Sequence, residues 1–405
     1  MKTNQWIFSM IACLFLALAL RTRMAETDVG FFQSFPISCV IDYMKHDNNI
    51  NSNYECEVIK VYNETIIPKY NNTALFYGAG MLGLKVHDKF NPGCVYHTDL
   101  VHFHTKIVCF HQFYVSGACS LNNLTHRVKL VARSGIDLYW NFPGPVLGNY
   151  NHVVAFGHYN LQCYGHFFLD VILPCILLPQ DIIKKSYIIY RDNATYALQF
   201  LEAMGFGDRV ITLGIKEWVY ADHVYTMIEP RTSGNIASSP LYNLSIYLRH
   251  KFNAEDIVPT DICYMLRKTR IIHNLKDAIE EASKQLNIEI KLIPDYIETA
   301  HETVKIWAKI KIVVGTTGSN LMKCIFMKEK TCVIHLMANI FNDCIVLSTA
   351  SCYVYQVCIH VNMGFWEGGG NVDVNLLIKA LKIAISLEES GKWPQIEGEE
   401  YKFLA

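Results

Sequence analysis

The sequence predicts an α/β protein whose 405 residues form two domains, each with helices packed against a mainly parallel sheet. The length fits two domains at roughly 100 to 200 residues each. From residue 262 onward, Val- and Ile-rich runs alternate with amphipathic segments, the pattern of a parallel sheet covered by helices on both faces. A formal net charge of −1 argues against a nucleic-acid-binding protein.

Residues 1–24 are predicted to be a signal anchor or a signal peptide. Fifteen apolar residues, Trp6 to Leu20, follow Lys2 and precede Arg21 and Arg23. As a helix this run spans roughly 22 Å, less than the ~30 Å hydrocarbon core of a membrane. Arginines such as Arg21 and Arg23 are unusual directly after a signal-peptide cleavage site, so we favour an uncleaved type II anchor. Either alternative places the rest of the chain in the secretory pathway, and cleavage would secrete it.

Sequons and cysteines agree with that compartment. Five Asn-x-Ser/Thr sequons are candidate glycosylation sites: Asn63, Asn71, Asn123, Asn193 and Asn243. The 14 cysteines include no Cys-x-x-Cys pair, which argues against a zinc ribbon. Their spacing leaves the disulfide connectivity open.

The chain divides into an N-terminal layer and two α/β domains. Residues 25–95 show only short apolar runs and are predicted to be a stem or an irregular layer. In the first domain, residues 96–235, we expect strands at 107–115, 127–132, 152–156, 186–191, 209–213 and 223–228, with helices at 165–178 and 195–204. A Ser/Gly/Pro-containing segment, 232–240, is the predicted linker.

The second domain, residues 241–390, has the clearer βα alternation. Its expected strands are 262–266, 288–293, 311–314, 331–336 and 352–359. Asn274 and Thr299 are predicted N-caps of intervening helices, and a helix at 375–386 closes the domain. Ligands of such sheets bind at the carboxyl ends of the strands.

Two loops at those carboxyl ends carry residues suited to phosphate. The strand 311–314 runs into a Gly/Thr/Ser turn and a helix start, where free backbone N–H groups would face an anion. Arg267 and Arg270 follow another strand of the sheet, and a guanidinium matches phosphate oxygens. We therefore predict a nucleotide diphosphate site of Arg267, Arg270 and the loop Gly315, Thr316, Thr317, Gly318, Ser319 and Asn320. Surface charge and tight packing are the structural alternatives.

A histidine and an aspartate in the first domain form a candidate catalytic pair. His166 and Asp170 are four residues apart, so on a helix they share a face. The carboxylate can fix the imidazole tautomer for a general base that deprotonates an acceptor hydroxyl. The structural alternative is a packed histidine beside a satisfied core aspartate.

The sequence gives little support for a metal or a cofactor. His97, His102, His104 and His111 are close in sequence but lack carboxylate or thiolate partners at metal-like spacing. The chain has no Asp-x-Asp motif, so arginines and backbone amides would meet the leaving-group charge. We expect no metal site and no required cofactor, although a divalent ion at the donor is possible.

The chain resembles glycosyltransferase family 61 over residues 108–381, about two thirds of its length. The matching motifs are Gly165 to Asp170 with Leu173-Pro174, then Arg267, Arg270 and Asn274, then Val313 to Gly315 with Gly318 and Leu321, and finally Phe326-Met327. The resemblance implies a GT-B arrangement, with two Rossmann-like domains facing across a cleft. It also implies inverting transfer from a UDP-sugar in the Golgi or endoplasmic reticulum membrane.

Three residues depart from the family pattern. Thr317 stands where the glycine loop normally has His, His335 where the next strand often has Glu, and Cys175 where an Arg is common. We expect an inverting transferase that moves xylose, arabinose or N-acetylglucosamine from a UDP-sugar to a glycan or glycoprotein acceptor. A catalytically degenerate lumenal protein that binds a glycan or a protein partner is the alternative, and a GDP-fucose enzyme is a weaker one. We expect no nucleic-acid partner.

Overall fold

The computed structural model describes residues 56–65, 72–84, 102–117, 119–123, 127–128, 144–156, 163–191, 194–214, 216–227, 239–339, 343–364, 368–396 and 400–403. The predicted N-terminal anchor, His97, Asn71, Asn193 and most of the predicted linker lie outside these ranges. None of the helices in the described ranges has the length and hydrophobicity of a membrane span.

The strands are numbered along the chain as follows: β1 (Glu57–Thr65), β2 (Ala74–Tyr77), β3 (His102–Ser116), β4 (Leu121–Asn122), β5 (Arg127–Val128), β6 (Val146–Val154), β7 (Tyr187–Tyr190), β8 (Val210–Thr212), β9 (Trp218–Met227), β10 (Asp261–Met265), β11 (Ile271–Ile272), β12 (Lys291–Ile293), β13 (Ile310–Thr316), β14 (Cys332–Met337), β15 (Tyr355–His360), β16 (Gly369–Gly370) and β17 (Tyr401–Phe403).

The helices are α1 (Ala79–Leu82), α2 (Tyr164–Cys175, in three joined pieces), α3 (Gln180–Lys185), α4 (Thr195–Ala203), α5 (Ser239–Lys251), α6 (Leu275–Leu286), α7 (Ala300–Ala308), α8 (Asp343–Ser351) and α9 (Val374–Ser390). A 3₁₀ helix, Ser319–Phe326, follows β13.

The first sheet is mixed, with the strand order β5-β4-β3-β9-β6-β7-β8 and β1 beside β3. Strands β6, β7, β8 and β9 are parallel, whereas β3 runs antiparallel to β9 and β1 runs antiparallel to β3. Four strands predicted for the first α/β domain are present here as β6, β7, β8 and β9, while the domain bounds 96–235 remain a prediction. The long antiparallel strand β3 covers the remaining edge of that part.

The second sheet has the order β12-β10-β13-β14-β15-β2-β17, and every pairing except β2 with β17 is parallel. Its central strands are buried on both faces, which explains why they appear in the sequence as continuous Val/Ile runs. The five parallel strands predicted for this domain are confirmed. The two parallel-rich sheets are consistent with two Rossmann-like domains.

Residues 25–95, predicted as an irregular layer, contribute strands to both sheets. β1 adds an edge strand to the first sheet, and β2 pairs with β15 in the second. A four-residue apolar run such as Ala74–Tyr77 carries no period that marks it as a strand, and its partner lies some 280 residues later. Its pairing can therefore be seen only in three dimensions.

Local signals explain several helix boundaries. Thr299 accepts a hydrogen bond from the Glu302 N–H at 3.2 Å, as predicted for α7. Asn274 occupies the N-cap position of α6, but its amide bonds the backbone N–H and C=O of Val372, each at 2.9 Å, rather than capping the helix. The predicted linker ends two residues too late because Pro240 lies in the first turn of α5, where proline is tolerated.

The helix α2 contains a π segment, Phe168–Ile172, between two α-helical pieces. Pro174 has no N–H to donate to the carbonyl of Asp170 four residues earlier, so the regular ladder is interrupted there. The predicted helix 165–178 is thus three residues shorter at its C-terminus. The π segment places Asp170 where the ladder is irregular, as is frequent at functional sites.

The two sheets are joined through α2 and the 3₁₀ helix. Phe168 packs edge-on against Phe326 with ring centroids 5.3 Å apart, a pair that contributes about 0.5–1.5 kcal/mol beyond its buried area. A Cβ added to Gly165 would lie 3.2 Å from Met322 and 3.5 Å from Ser319. Gly165 therefore lets the start of α2 approach the loop that follows β13.

Candidate active site

The two predicted arginines lie beside the glycine loop. Strands β10 and β13 are parallel neighbours, so the residues after them meet at one edge of the sheet. The Nη1 atoms of Arg267 and Arg270 donate to the carbonyl oxygen of Thr317 at 3.2 and 2.9 Å. A Cβ on Gly318, whose φ is +148°, would lie 1.7 Å from Arg267 Nη1. Glycine at this position is thus required for the arginine to occupy its place.

Positive charge accumulates around this carbonyl. Burial lowers the pKa of Arg267, and burial together with the charge of Arg267 lowers the pKa of Arg270. Arg270 also has a left-handed backbone, with φ 54°, which costs a non-glycine residue about 1 kcal/mol or more. Backbone strain and like-charge repulsion thus coincide at this point, a combination that is common at functional sites.

A third cation, Lys323, lies in the 3₁₀ helix and was not predicted. Its side chain is only 2% exposed, Nζ donates to the Asp295 carbonyl at 2.7 Å, and the ammonium lies 5.2 Å from the centre of the Tyr164 ring. Burial lowers its pKa to about 8, with Asp295 opposing this shift and Arg267 adding to it. A lysine inside the apolar run 321–327 was the sequence signal for this residue.

Asp295 is the second site residue that sequence reasoning missed. It follows β12 at the same carboxyl edge, and its side chain accepts a hydrogen bond from the amide of Asn320. It also attracts Arg267 and Lys323 electrostatically. Its position directly after a predicted parallel strand was the signal that could have found it.

The predicted phosphate loop is only partly available to a ligand. Gly315 and Thr316 belong to β13 and are buried, and a Cβ on Gly315 would lie 2.7 Å from Leu321 Cδ1. The Thr317 N–H bonds the Leu336 carbonyl at 3.1 Å. Gly318 is buried as well, and the half-buried Ser319 and Asn320 begin the 3₁₀ helix that follows. The donor-binding role of the six loop residues remains a prediction.

The side chain of Thr317 belongs to a buried polar network. Its Oγ1 lies 2.8 Å from His335 Nε2, and Gln356 Nε2 donates to His335 Nδ1 at 2.7 Å. The Gln356 Oε1 accepts from the Thr349 hydroxyl at 2.8 Å. His335 is 0% exposed, and burial lowers its pKa to about 3, so the imidazole is neutral. The two departures from the family pattern in this sheet, Thr317 and His335, thus bond each other.

The predicted catalytic pair forms at the surface of α2. His166 Nδ1 and Asp170 Oδ2 are 2.9 Å apart, and their side chains are 22% and 8% exposed. The contact fixes the tautomer with a proton on Nδ1, which leaves Nε2 as the basic nitrogen. The His166 side chain is partly exposed, whereas that of Asp170 is nearly buried. Its catalytic role remains a prediction.

The start of α2 lies close to the arginine pair. Burial raises the pKa of the Cys163 thiol, and the charge of Arg270 acts against that shift. Gly165 contacts the loop at Ser319, as described above. The start of α2, which carries His166, therefore packs against the segment after β13, beside which the two arginines lie.

The remaining predicted residues have simpler surroundings. Asn63 and Asn243 are exposed and Asn123 is half-buried. The side chains of His102 and His104 are not described. Cys175 is buried, and its thiol donates to the Val171 carbonyl at 3.0 Å, so it packs inside α2.

Comparison with known proteins supports the resemblance in this part of the chain. The model of the family described as Glycosyltransferase 61 matches residues 164–334, which include α2, the arginine pair, the glycine loop and the first three residues of β14. No curated protein matches the chain. The residues predicted to bind the donor and to act as the base all lie inside the matched segment. Residues 164–334 thus match the glycosyltransferase 61 family, and the activity that this match implies is glycosyl transfer.

Proposed function

We propose that the protein is an inverting glycosyltransferase that moves xylose, arabinose or N-acetylglucosamine from a UDP-sugar to a glycan or glycoprotein acceptor. The observation that carries this proposal is the convergence of Arg267 and Arg270 on the Thr317 carbonyl. Lys323, in the 3₁₀ helix after the same loop, adds a third cation. Three cations near one loop suit a diphosphate, whose charge grows as the bond to the sugar breaks.

In the proposed reaction His166 Nε2 accepts the proton of an acceptor hydroxyl, while Asp170 stabilises the resulting imidazolium through Nδ1. The acceptor oxygen attacks the anomeric carbon from the face opposite the departing diphosphate, which inverts the configuration there. Arg267, Arg270 and Lys323 bind the diphosphate more tightly as its negative charge increases. This difference between ground state and transition state is the source of the rate enhancement.

The proposed setting follows from the N-terminal sequence. The apolar run before residue 24 would hold the protein in the Golgi or endoplasmic reticulum membrane with its catalytic part in the lumen, or release it if cleaved. The two parallel-rich sheets would then act as the acceptor-side and donor-side domains of a GT-B enzyme.

The test is UDP binding and sugar transfer by the Arg267→Ala/Arg270→Ala double variant. Removing two charge-assisted contacts of about 1.5–3 kcal/mol each weakens UDP binding by roughly 100-fold or more. Lys268→Ala is the matched control, because Lys268 lies between them but is exposed. Unchanged UDP affinity in the double variant would contradict the assignment, and stronger competition by GDP than by UDP would favour a GDP-sugar donor.

A degenerate lumenal binding protein is the second candidate, and one observation favours it. Thr317 and His335 are both fully buried and bond each other, so neither presents the imidazole that the family loop normally carries. The two candidates differ in a simple measurement. Calorimetry that detects a glycan or a protein partner, but no nucleotide, would support the degenerate protein.

A further inference from the structure

A cavity of ≈ 220 Å³ lies at the edge of the second sheet where β2 and β15 end. Its lining comes from the turn after β2, from His360 at the end of β15 and from the first turns of α9. Met81 and Leu376 give it an apolar part, whereas Asp373, Asn375 and His360 carry polar atoms. An apolar concave surface with a few polar groups is the usual form of a small-molecule site.

Strand register places this cavity level with the loop beside the arginine pair. Successive partners in one row across four parallel strands are Thr316, Leu336, Ile359 and Tyr77. Thr317, whose carbonyl accepts from both arginines, and His360 each lie one residue beyond this row. Because neighbouring strands lie about 4.8 Å apart, two strand spacings, or roughly 10 Å, separate Thr317 from His360. A nucleoside diphosphate whose phosphates lie at Thr317 can therefore extend as far as the cavity.

Asn274 links the cavity to the arginine pair. It is the third residue of the motif that contains Arg267 and Arg270. Its side-chain amide accepts from the Val372 N–H and donates to the Val372 carbonyl, each at 2.9 Å. Val372 directly precedes Asp373, the N-cap of α9, and the short parallel pair β11 and β16 joins the same two segments. The segment that carries the arginines is thus bonded to the segment that lines the cavity.

The size and the polar groups of the cavity suit a pyrimidine nucleoside. Asn375 is exposed, and a side-chain amide can pair with both the N–H and the C=O of a base. Asp373 Oδ1 accepts the Leu376 N–H at 3.0 Å, and an acidic side chain in this kind of sheet can also accept from a ribose hydroxyl. The volume is below the roughly 300–1,000 Å³ of pockets for drug-sized ligands, which favours a pyrimidine over the larger purine.

The opposite wall provides an acceptor and keeps the cavity open. His360 Nε2 donates to Asn339 Oδ1 at 2.9 Å, which leaves Nδ1 as the acceptor nitrogen of the neutral ring. A Cβ on Gly80 would lie 2.9 Å from that Nδ1. The absence of a side chain at Gly80 therefore leaves the imidazole its place beside the cavity.

We propose that this cavity binds the pyrimidine nucleoside of the nucleotide whose diphosphate lies at Arg267 and Arg270. This inference rests on the proposed function and adds the residues that select the base. The base contacts Asn375, the ribose contacts Asp373, and the diphosphate extends across the end of β14 to the arginines. Residues 77–81, which precede the first domain, complete the donor site from outside the segment that matches the family model.

The test compares UDP with inorganic pyrophosphate by calorimetry on the full-length chain. The wild type should bind UDP at least tenfold more tightly, because only UDP carries a nucleoside. Ala79→Trp fills the cavity from an exposed position and should weaken UDP binding at least tenfold without changing pyrophosphate binding. Asn375→Ala should act in the same direction. Leu82→Trp is the matched control, because Leu82 is also exposed on α1 but does not line the cavity.

The outcomes distinguish this inference from the proposed function. A wild-type chain that binds neither UDP nor pyrophosphate would overturn both. If Arg267→Ala/Arg270→Ala lost UDP affinity while Ala79→Trp and Asn375→Ala kept it, the proposed function would stand and the cavity assignment would be overturned. GDP binding as tight as UDP binding would overturn the assignment to a pyrimidine. Unchanged pyrophosphate affinity in Ala79→Trp shows that the variant is folded, so its loss of UDP affinity would support the cavity assignment.

Discussion

His335 makes the stability of the second sheet depend on pH. Its ring is fully buried between Thr317 and Gln356, and burial lowers its pKa to about 3. In the unfolded chain the same ring takes a proton near its ordinary pKa of about 6.5. The unfolded state therefore binds more protons between these two values. Stability is complete above pH 6.5 and decreases as the pH falls toward 3.

The size of this effect follows from the distance below the ordinary pKa. At pH 5 the unfolded chain is about 1.5 pH units below it, and each unit corresponds to about 1.4 kcal/mol. His335 alone thus removes about 2 kcal/mol of unfolding free energy between pH 7 and pH 5. The substitution His335→Gln abolishes the titration and keeps a polar side chain between Thr317 and Gln356.

The assay is urea unfolding of the full-length protein and of His335→Gln at pH 7 and pH 5. All other ionisable groups are common to both proteins, so their contributions cancel in the comparison. We expect the wild type to lose about 2 kcal/mol more than the variant between the two pH values. Equal losses would refute the reasoning, because they would mean that folding does not change the protonation of His335.

Three further predictions concern the candidate site and its scaffold. Gly318→Ala should displace Arg267 and weaken UDP binding at least tenfold in calorimetry, whereas Gly207→Ala, also at positive φ but with nothing within 4 Å, should leave it unchanged. UDP affinity should fall above pH 8, because Lys323 loses its proton there. The Lys323→Met variant should lack this pH dependence. If the variant kept the wild-type pH profile, a role for Lys323 in UDP binding would be excluded. Asp373→Ala removes the cap of α9, which accepts a backbone N–H at 3.0 Å, and should lower the unfolding free energy by about 1 kcal/mol in urea titrations.

The second sheet could be predicted from the sequence because its strands are buried on both faces. Strands β13 and β14 begin within one residue of their predicted starts. A short continuous run of Val and Ile is typical of a strand that is buried on both faces. The first sheet was harder to predict, because β3 and β9 are long, partly exposed and antiparallel. The arginine pair was predicted together with its loop for a related reason: the carboxyl ends of parallel strands always share an edge.

Other parts of the site depend on contacts that sequence spacing does not contain. Lys323 of the 3₁₀ helix after β13 bonds Asp295 after β12, and the residue pattern does not show this contact between two separate segments. His111 lies opposite His223, and His223 opposite His152, through the register of three strands that are far apart in the chain. His111 therefore appeared to lack a carboxylate partner, although Glu57 is beside it. Register between distant strands is information that only the folded chain supplies.

The bonds made by Thr317 bear on whether the arginine pair has a structural or a functional role. Its N–H bonds Leu336, its hydroxyl bonds His335, and its carbonyl accepts from both arginines. Arginines that serve stability alone are usually paired with carboxylates, since half-buried like charges repel each other. Here both guanidinium groups converge on a neutral carbonyl, and within the described part of the chain Arg267 Nε has no hydrogen-bond partner. A diphosphate would offer that donor an acceptor and would relieve the repulsion between the two cations. We therefore expect the pair to gain from an anionic ligand, which is the property that the proposed leaving-group site requires.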